Sequence, residues 1–143
     1  MSLDFIYALP GQTLKAWKAE LEAALACGTG HLSLYQLTIE KGTPFYVDHR
    51  NGAFSLPDDD LAADLYELTA EMTSNAGLSA YEVSNYAKMG QESRHNLVYW
   101  RGGDYIGIGP GAHGRLTLTD GCRRTEQVPS PAGWTTAVSA DGH

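Results

Sequence analysis

Cysteine is nearly missing from this 143-residue chain: Cys27 and Cys122 are its only two, and most of the sequence separates them. No CxxC or HxxxH spacing occurs, which excludes a zinc module, and two distant thiols make no disulfide framework. They read as buried or idle thiols. Basic residues are also scarce. Ten Lys and Arg face seventeen Asp and Glu, for a formal net charge of -7. That balance argues against a nucleic-acid partner, because neutralising phosphates takes a basic face. No run approaches the roughly 18 apolar residues of a membrane span, and the start lacks the basic leader of a signal peptide. Membrane association is therefore not indicated, and the cytoplasm is the expected compartment. Internal repeats and low-complexity blocks are absent too. What remains is an ordinary globular mix, 43% hydrophobic and 19% charged, long enough for one domain with a core.

The pattern that is present begins as α/β. "LDFIY", Leu3 to Tyr7, reads as a strand, and Pro10 and Gly11 punctuate the turn after it. From Thr13 to Ala26 the residues Leu14, Trp17, Leu21 and Leu25 recur at helical spacing, with Thr13 as N-cap and Gly28 as the stop. "HLSLYQLTI", His31 to Ile39, reads as a second strand, so the three elements form a βαβ unit with parallel strands. A loop is expected from Glu40 to Pro57. Asp58, Asp59 and Asp60 could be paired carboxylates, but they stand where a helix with Leu61, Leu65, Leu68 and Met72 on one face begins, and acids complement that end of its dipole. "AYEVSNYA", Ala80 to Ala87, reads as a short strand. Asp120-Gly121 between alternating runs signals a hairpin.

Residues 94 to 114, "RHNLVYWRGGDYIGIGPGAHG", concentrate six of the sixteen glycines. Gly109, Gly111 and Gly114 fit GxGxxG by count and follow "DYIGI", which reads as a strand. A dinucleotide site also needs a helix opening at the third glycine and an acid about twenty residues on. A hairpin follows instead, Glu126 comes too early, and no Lys-Ser or Lys-Thr makes a P-loop. His95, Asn96, Tyr99 and Trp100, flanked by Arg94 and Arg101, are more distinctive. Imidazole ligates iron, aromatic rings stack on conjugated ones, and arginine pairs with carboxylates, which is the inventory for a propionate-bearing porphyrin. A packing cluster in which His95 only donates a hydrogen bond accounts for the same residues.

"LDFIYALPGQT", "HLSLYQLTIEKGTPFY", "YEVSNYA" and "HNLVYW" followed by "GDYIGIGPGAHG" together resemble the heme-chaperone (HemW-type) branch of the oxygen-independent coproporphyrinogen III oxidase family. They cover almost the whole chain in the family's order. The resemblance implies a radical S-adenosylmethionine protein built on a partial (β/α)6 TIM-like barrel. It also implies a [4Fe-4S] cluster held by a CxxxCxxC motif, which this sequence lacks, so the chain alone is expected to be inactive. Asp4 and Ile6 match positions that contact the adenosyl cosubstrate, and Thr38 matches another on its wall. Ala8 stands where the family has glycine, which puts the turn in question because alanine pays for positive φ. The HNxxYW pattern implies heme binding and delivery to an acceptor protein, with His95 the axial ligand to the iron.

The expected architecture is therefore α/β: the last two strands of such a barrel over 1–57, an α+β extension with a β-hairpin over 58–128, and an incomplete tail over 129–143 ending in an unstructured "SADGH". The exposed barrel edge should promote self-association. Two other functions remain at this stage: oxidative decarboxylation of coproporphyrinogen III to protoporphyrinogen IX, and an inactive folded remnant.

Overall fold

The computed structural model describes residues 1–141, and the chain gathers into two compact units, Met1–Ser93 and Arg94–His143. The expected 58–128 region is thus divided between them. The last two residues of "SADGH" lie outside the described residues.

In the first unit, β1 (Ser2–Tyr7), α1 (Leu14–Ala26) and β2 (His31–Gln36) form the expected βαβ unit, with β1 and β2 parallel in the register Asp4 to Ser33 and Ile6 to Tyr35. Thr13 caps α1 by accepting from the Ala16 N–H at 3.2 Å, and Gly28 leaves the helix at φ 68°. β2 stops at Gln36, short of the expected Ile39. The cause is its neighbour: β1 ends at Tyr7, and the Leu37 N–H donating to the Tyr7 carbonyl at 2.8 Å is the last bond between them. Ala8 then turns the chain away at φ 58°, the one positive-φ residue other than glycine among the described residues.

Two expectations change in the rest of the first unit. The 40–57 stretch is not all loop, because α2 (Pro44–Arg50) forms with Thr43 as N-cap and Pro44 in its first turn, where a missing N–H costs nothing. α3 (Asp59–Asn75) begins as expected, its Asp58 cap accepting from the Leu61 N–H at 2.8 Å. The single strand expected over Ala80 to Ala87 is instead a tight antiparallel hairpin of β3 (Ser79–Ala80) and β4 (Asn85–Ala87), since Tyr81 N–H turns back onto the Asn85 carbonyl. β4 also pairs antiparallel with β2, giving the order β1-β2-β4-β3.

One face of this sheet is covered by α1 and α3. Trp17 is buried, stacks on Tyr7 at 4.8 Å between ring centroids, and donates from Nε1 to Thr69 Oγ1 at 2.8 Å. Those contacts tie α1, β1 and α3 together around Leu21, Leu32, Leu34, Leu65 and Tyr86. Burial pushes the Tyr86 hydroxyl up to about 12 and the Tyr7 hydroxyl upward as well.

The second unit holds α4 (Arg94–Trp100), the hairpin β5 (His113–Leu118) and β6 (Gly121–Glu126), and α5 (Pro131–Asp141). The hairpin is as expected, with the turn one residue earlier: Leu118 pairs Gly121 across Thr119 and Asp120. "DYIGI" is not a strand; only Tyr105 pairs, in a bridge to Arg115. The 129–143 tail is not without structure, because α5 starts there, with Ser130 Oγ accepting from the Gly133 N–H at 3.3 Å. Neither cysteine is buried: both are free and exposed, one in each unit.

Candidate functional site

The sheet face away from α1 and α3 carries a polar network, buried at His31, Ser33 and Asn85. Strand alternation sends Ser2, Asp4 and Ile6 of β1, His31, Ser33 and Tyr35 of β2, and Asn85 of β4 to that side. Asp4 and Ile6 share it, as expected, and both are exposed; Thr38 lies exposed two residues past the end of β2.

His31 is the hub. Its Nδ1 lies 2.7 Å from Ser2 Oγ and its Nε2 lies 2.6 Å from the Tyr81 hydroxyl. The Ser93 N–H donates to that same hydroxyl at 3.3 Å. On the other side of the ring, the Ser2 hydroxyl donates on to Asp4 at 3.5 Å. Burial holds the His31 pKa below its ordinary value, while Asp4 and Glu82 pull it the other way. Beside it the Ser33 hydroxyl donates to Asn85 Oδ1 at 2.8 Å, and the Asn85 amide donates to Glu82. Sequence reading missed His31, Ser33, Tyr81, Glu82 and Asn85. The signal was the period-two set His31, Ser33, Tyr35 inside a run read as a strand without regard to its two faces.

In the second unit, α4 places His95 and Tyr99 four residues apart on one face, their rings edge-on at 4.9 Å. Tyr99 continues onto Tyr105 at 4.5 Å. His95 is exposed, Trp100 is 58% exposed, and Asn96 is half-buried. Arg94 and Arg101 are turned elsewhere. With Leu97, Val98 and Gly103 they line a depression of about 270 Å³.

The glycines after α4 serve the chain's own backbone. A Cβ on Gly107 would overlap the His113 carbonyl, and one on Gly114 would meet Thr125 Oγ1 and lie 2.9 Å from the Gly107 nitrogen. Gly102, Gly109 and Gly111 have positive φ. Asp104 fixes the start of this loop by accepting from the Thr117 N–H at 2.9 Å and its hydroxyl at 2.8 Å, bonds that hold the Asp104 carboxyl below its usual range.

The donor set does not fit an iron-sulfur cluster. Two cysteines are too few, and among the described residues no three His, Cys, Asp or Glu side chains gather as a metal site. A single exposed imidazole with aromatic neighbours does fit heme iron, which takes one axial His.

Comparison with known proteins follows the same lines. No family model matches the chain. It is 44% identical over 134 residues to the "Heme chaperone HemW" of Escherichia coli K12, covering 93% of this chain and 34% of that protein. It is 41% identical over 147 residues to the mouse "Radical S-adenosyl methionine domain-containing protein 1, mitochondrial", covering 100% of this chain and 33% of the relative. The zebrafish protein of that name is 44% identical over 116 residues, covering 81% of this chain and 26% of its own length. Among solved structures, the radical SAM enzyme coproporphyrinogen III oxidase (HemN) of Escherichia coli shares the fold at TM-score 0.73 and 16% identity, over 99% of this chain and 34% of that one. The chain therefore spans about a third of the length of the curated relatives it matches. Along most of its length this chain is thus a homologue of HemW-type and radical S-adenosylmethionine domain-containing proteins, and it shares the fold of the radical SAM coproporphyrinogen III oxidase.

Proposed function

We propose that this chain contributes to heme binding and delivery in a HemW-type protein, with heme as cargo and His95 as its axial ligand. The observation that carries this reading is the exposed His95–Tyr99 face of α4, with Trp100 exposed beside it, in a chain 44% identical over 134 residues to a protein named a heme chaperone. Tyr99 orients the imidazole edge-on, and Tyr99 or Trp100 offers a surface for the macrocycle. Asp4 and Ile6, exposed on the face of the first sheet away from α1 and α3, would contact S-adenosylmethionine in the intact protein, with Thr38 at the periphery. The cluster that activates this cosubstrate would take its ligands from residues outside this chain. A heme-acceptor protein and a cytoplasmic location belong to the same proposal; among the described residues no helix is long and apolar enough to cross a membrane. Among the described residues β1 pairs only with β2, which leaves its other edge without a strand partner, and self-association of the chain is expected in light scattering.

Hemin titration tests the reading. The chain should give a sharp Soret band that His95→Ala removes without changing far-ultraviolet circular dichroism, whereas His113→Ala should matter less. The matching substitution in a full-length relative decides: an unchanged Soret band there ends the ligand assignment. Formation of protoporphyrinogen IX by that relative would favour the oxidase function instead.

A further inference from the structure

A heme held by His95 presents two propionates, and sequence spacing pointed to Arg94 and Arg101 as their partners. The helix decides otherwise. At about 100° per residue, Arg94, Leu97, Val98 and Arg101 fall on one side of α4, away from His95 and Tyr99. The arginine that the fold brings to the aromatic ladder is Arg115. The ladder runs from His95 through Tyr99 to Tyr105, and Tyr105 exchanges both backbone hydrogen bonds with Arg115 at 2.8 Å.

Arg115 in turn stands directly opposite Arg124 across the hairpin, so the two side chains leave from the same face. Like charges opposed in this way destabilise a strand pair. Neither forms an ion pair: the Arg123–Asp120 pair is the single one among the described residues. Asp104 senses Arg115 only at longer range, because Thr117 occupies it. Arg115 Nε is buried and has no hydrogen-bond acceptor among the described residues. Its guanidinium is also laid against Gly102, where a Cβ would come within 3.1 Å of one terminal nitrogen and 3.6 Å of the other. A cation held this closely, on a strand face it shares with a second one and with no ion pair of its own, is arranged for an anion such as a carboxylate.

We propose that Arg115 and Arg124 form a carboxylate clamp that takes the propionates of a tetrapyrrole cargo, an assignment that rests on the heme reading above. Three probes test it on the whole chain: hemin, hemin dimethyl ester, and metal-free protoporphyrin IX. The chain should bind hemin about tenfold more tightly than the ester, whose masked carboxyls cannot pair with a guanidinium. Arg115→Gln and Arg124→Gln should each erase that preference, and Arg124→Lys should restore only part of it because lysine lacks the bidentate fork. If Arg115→Gln unfolds the hairpin, the exposed Arg124 decides. Equal affinity for hemin and ester, or a preference that survives Arg124→Gln, overturns the clamp; the heme reading then stands if His95→Ala still removes the Soret band. Arginine-dependent binding of metal-free protoporphyrin, with His95→Ala leaving the hemin Soret band unchanged, supports the clamp and ends the axial-ligand assignment. Absence of binding by all three overturns both.

Discussion

The two compact units are held together by different means. Every buried apolar side chain among the described residues belongs to Met1–Ser93, where two helices cover one face of a four-stranded sheet. In Arg94–His143 the only buried residue among those described is Gly114, while Ile106 is 72% and Ile108 83% exposed. Charge divides as well. Five of the ten basic residues, Arg94, Arg101, Arg115, Arg123 and Arg124, fall in the second unit against Asp104, Asp120, Glu126 and Asp141, so the negative charge resides in the first. A small unit without an apolar interior has little hydrophobic free energy to set against chain entropy. It relies instead on backbone pairing, the close glycine contacts of Gly107 and Gly114, and exposed side-chain contacts such as those of Asp104 with Thr117. The comparison teaches that the first unit is specified by its core and the second by its backbone. Amide exchange should follow suit, with stronger protection in α1, β2 and α3 than in α4 and α5.

The largest effect expected from breaking this comparison is in the core. Trp17→Ala should lower stability by about 3–5 kcal/mol through the cavity left beside Tyr7 and the lost indole hydrogen bond to Thr69, read by denaturant unfolding. A loss under about 1 kcal/mol would mean that the first unit does not depend on this contact. Next is Gly107→Ala. Overlap with the His113 backbone should cost about 2–3 kcal/mol and speed proteolysis within 94–141, leaving exchange in the first unit unchanged. Unaltered cleavage there would remove the case for a backbone-specified unit.

A smaller effect concerns pH. Burial lowers the folded-state pKa of His31 from the ordinary 6.5, so the unfolded chain takes up the proton first as pH falls. His31's contribution to stability is therefore complete above that ordinary value and declines below it, toward the folded pKa. His31→Gln should flatten the stability profile on the acid side of neutrality, and a profile that remains equally steep would assign the slope to other groups. The smallest effect is expected at Ala8. Relief of about 1–2 kcal/mol of left-handed strain, offset by about 0.8 kcal/mol of methyl burial, should make Ala8→Gly slightly stabilising in a thermal melt.

Much of the fold was legible because its signals are local. The Thr13 cap, the spacing of Leu14, Trp17, Leu21 and Leu25, the acids at 58–60 and the Asp120-Gly121 turn each act within a few residues. Where the sequence misled, the deciding contact was distant. β2 ends early because β1, some thirty residues before it, has turned off at Ala8. α2 was hidden because Pro44 and two glycines look like loop until Thr43 is seen as the cap. α5 was missed because its few apolar residues give no helical stripe.

By itself, the sequence determined the family, the βαβ unit, the hairpin, and the shortage of cysteine that leaves no cluster ligands, since each depends on residue type and short-range spacing. Tertiary structure decided which side chains meet. It gathered Ser2, His31 and Tyr81 from three separate elements, and it used Gly107 and Gly114 to bring backbone onto backbone. It also turned Arg94 and Arg101 away from His95 while setting Arg115 opposite Arg124. Helix phase and strand register fix such encounters, and both are properties of the folded backbone.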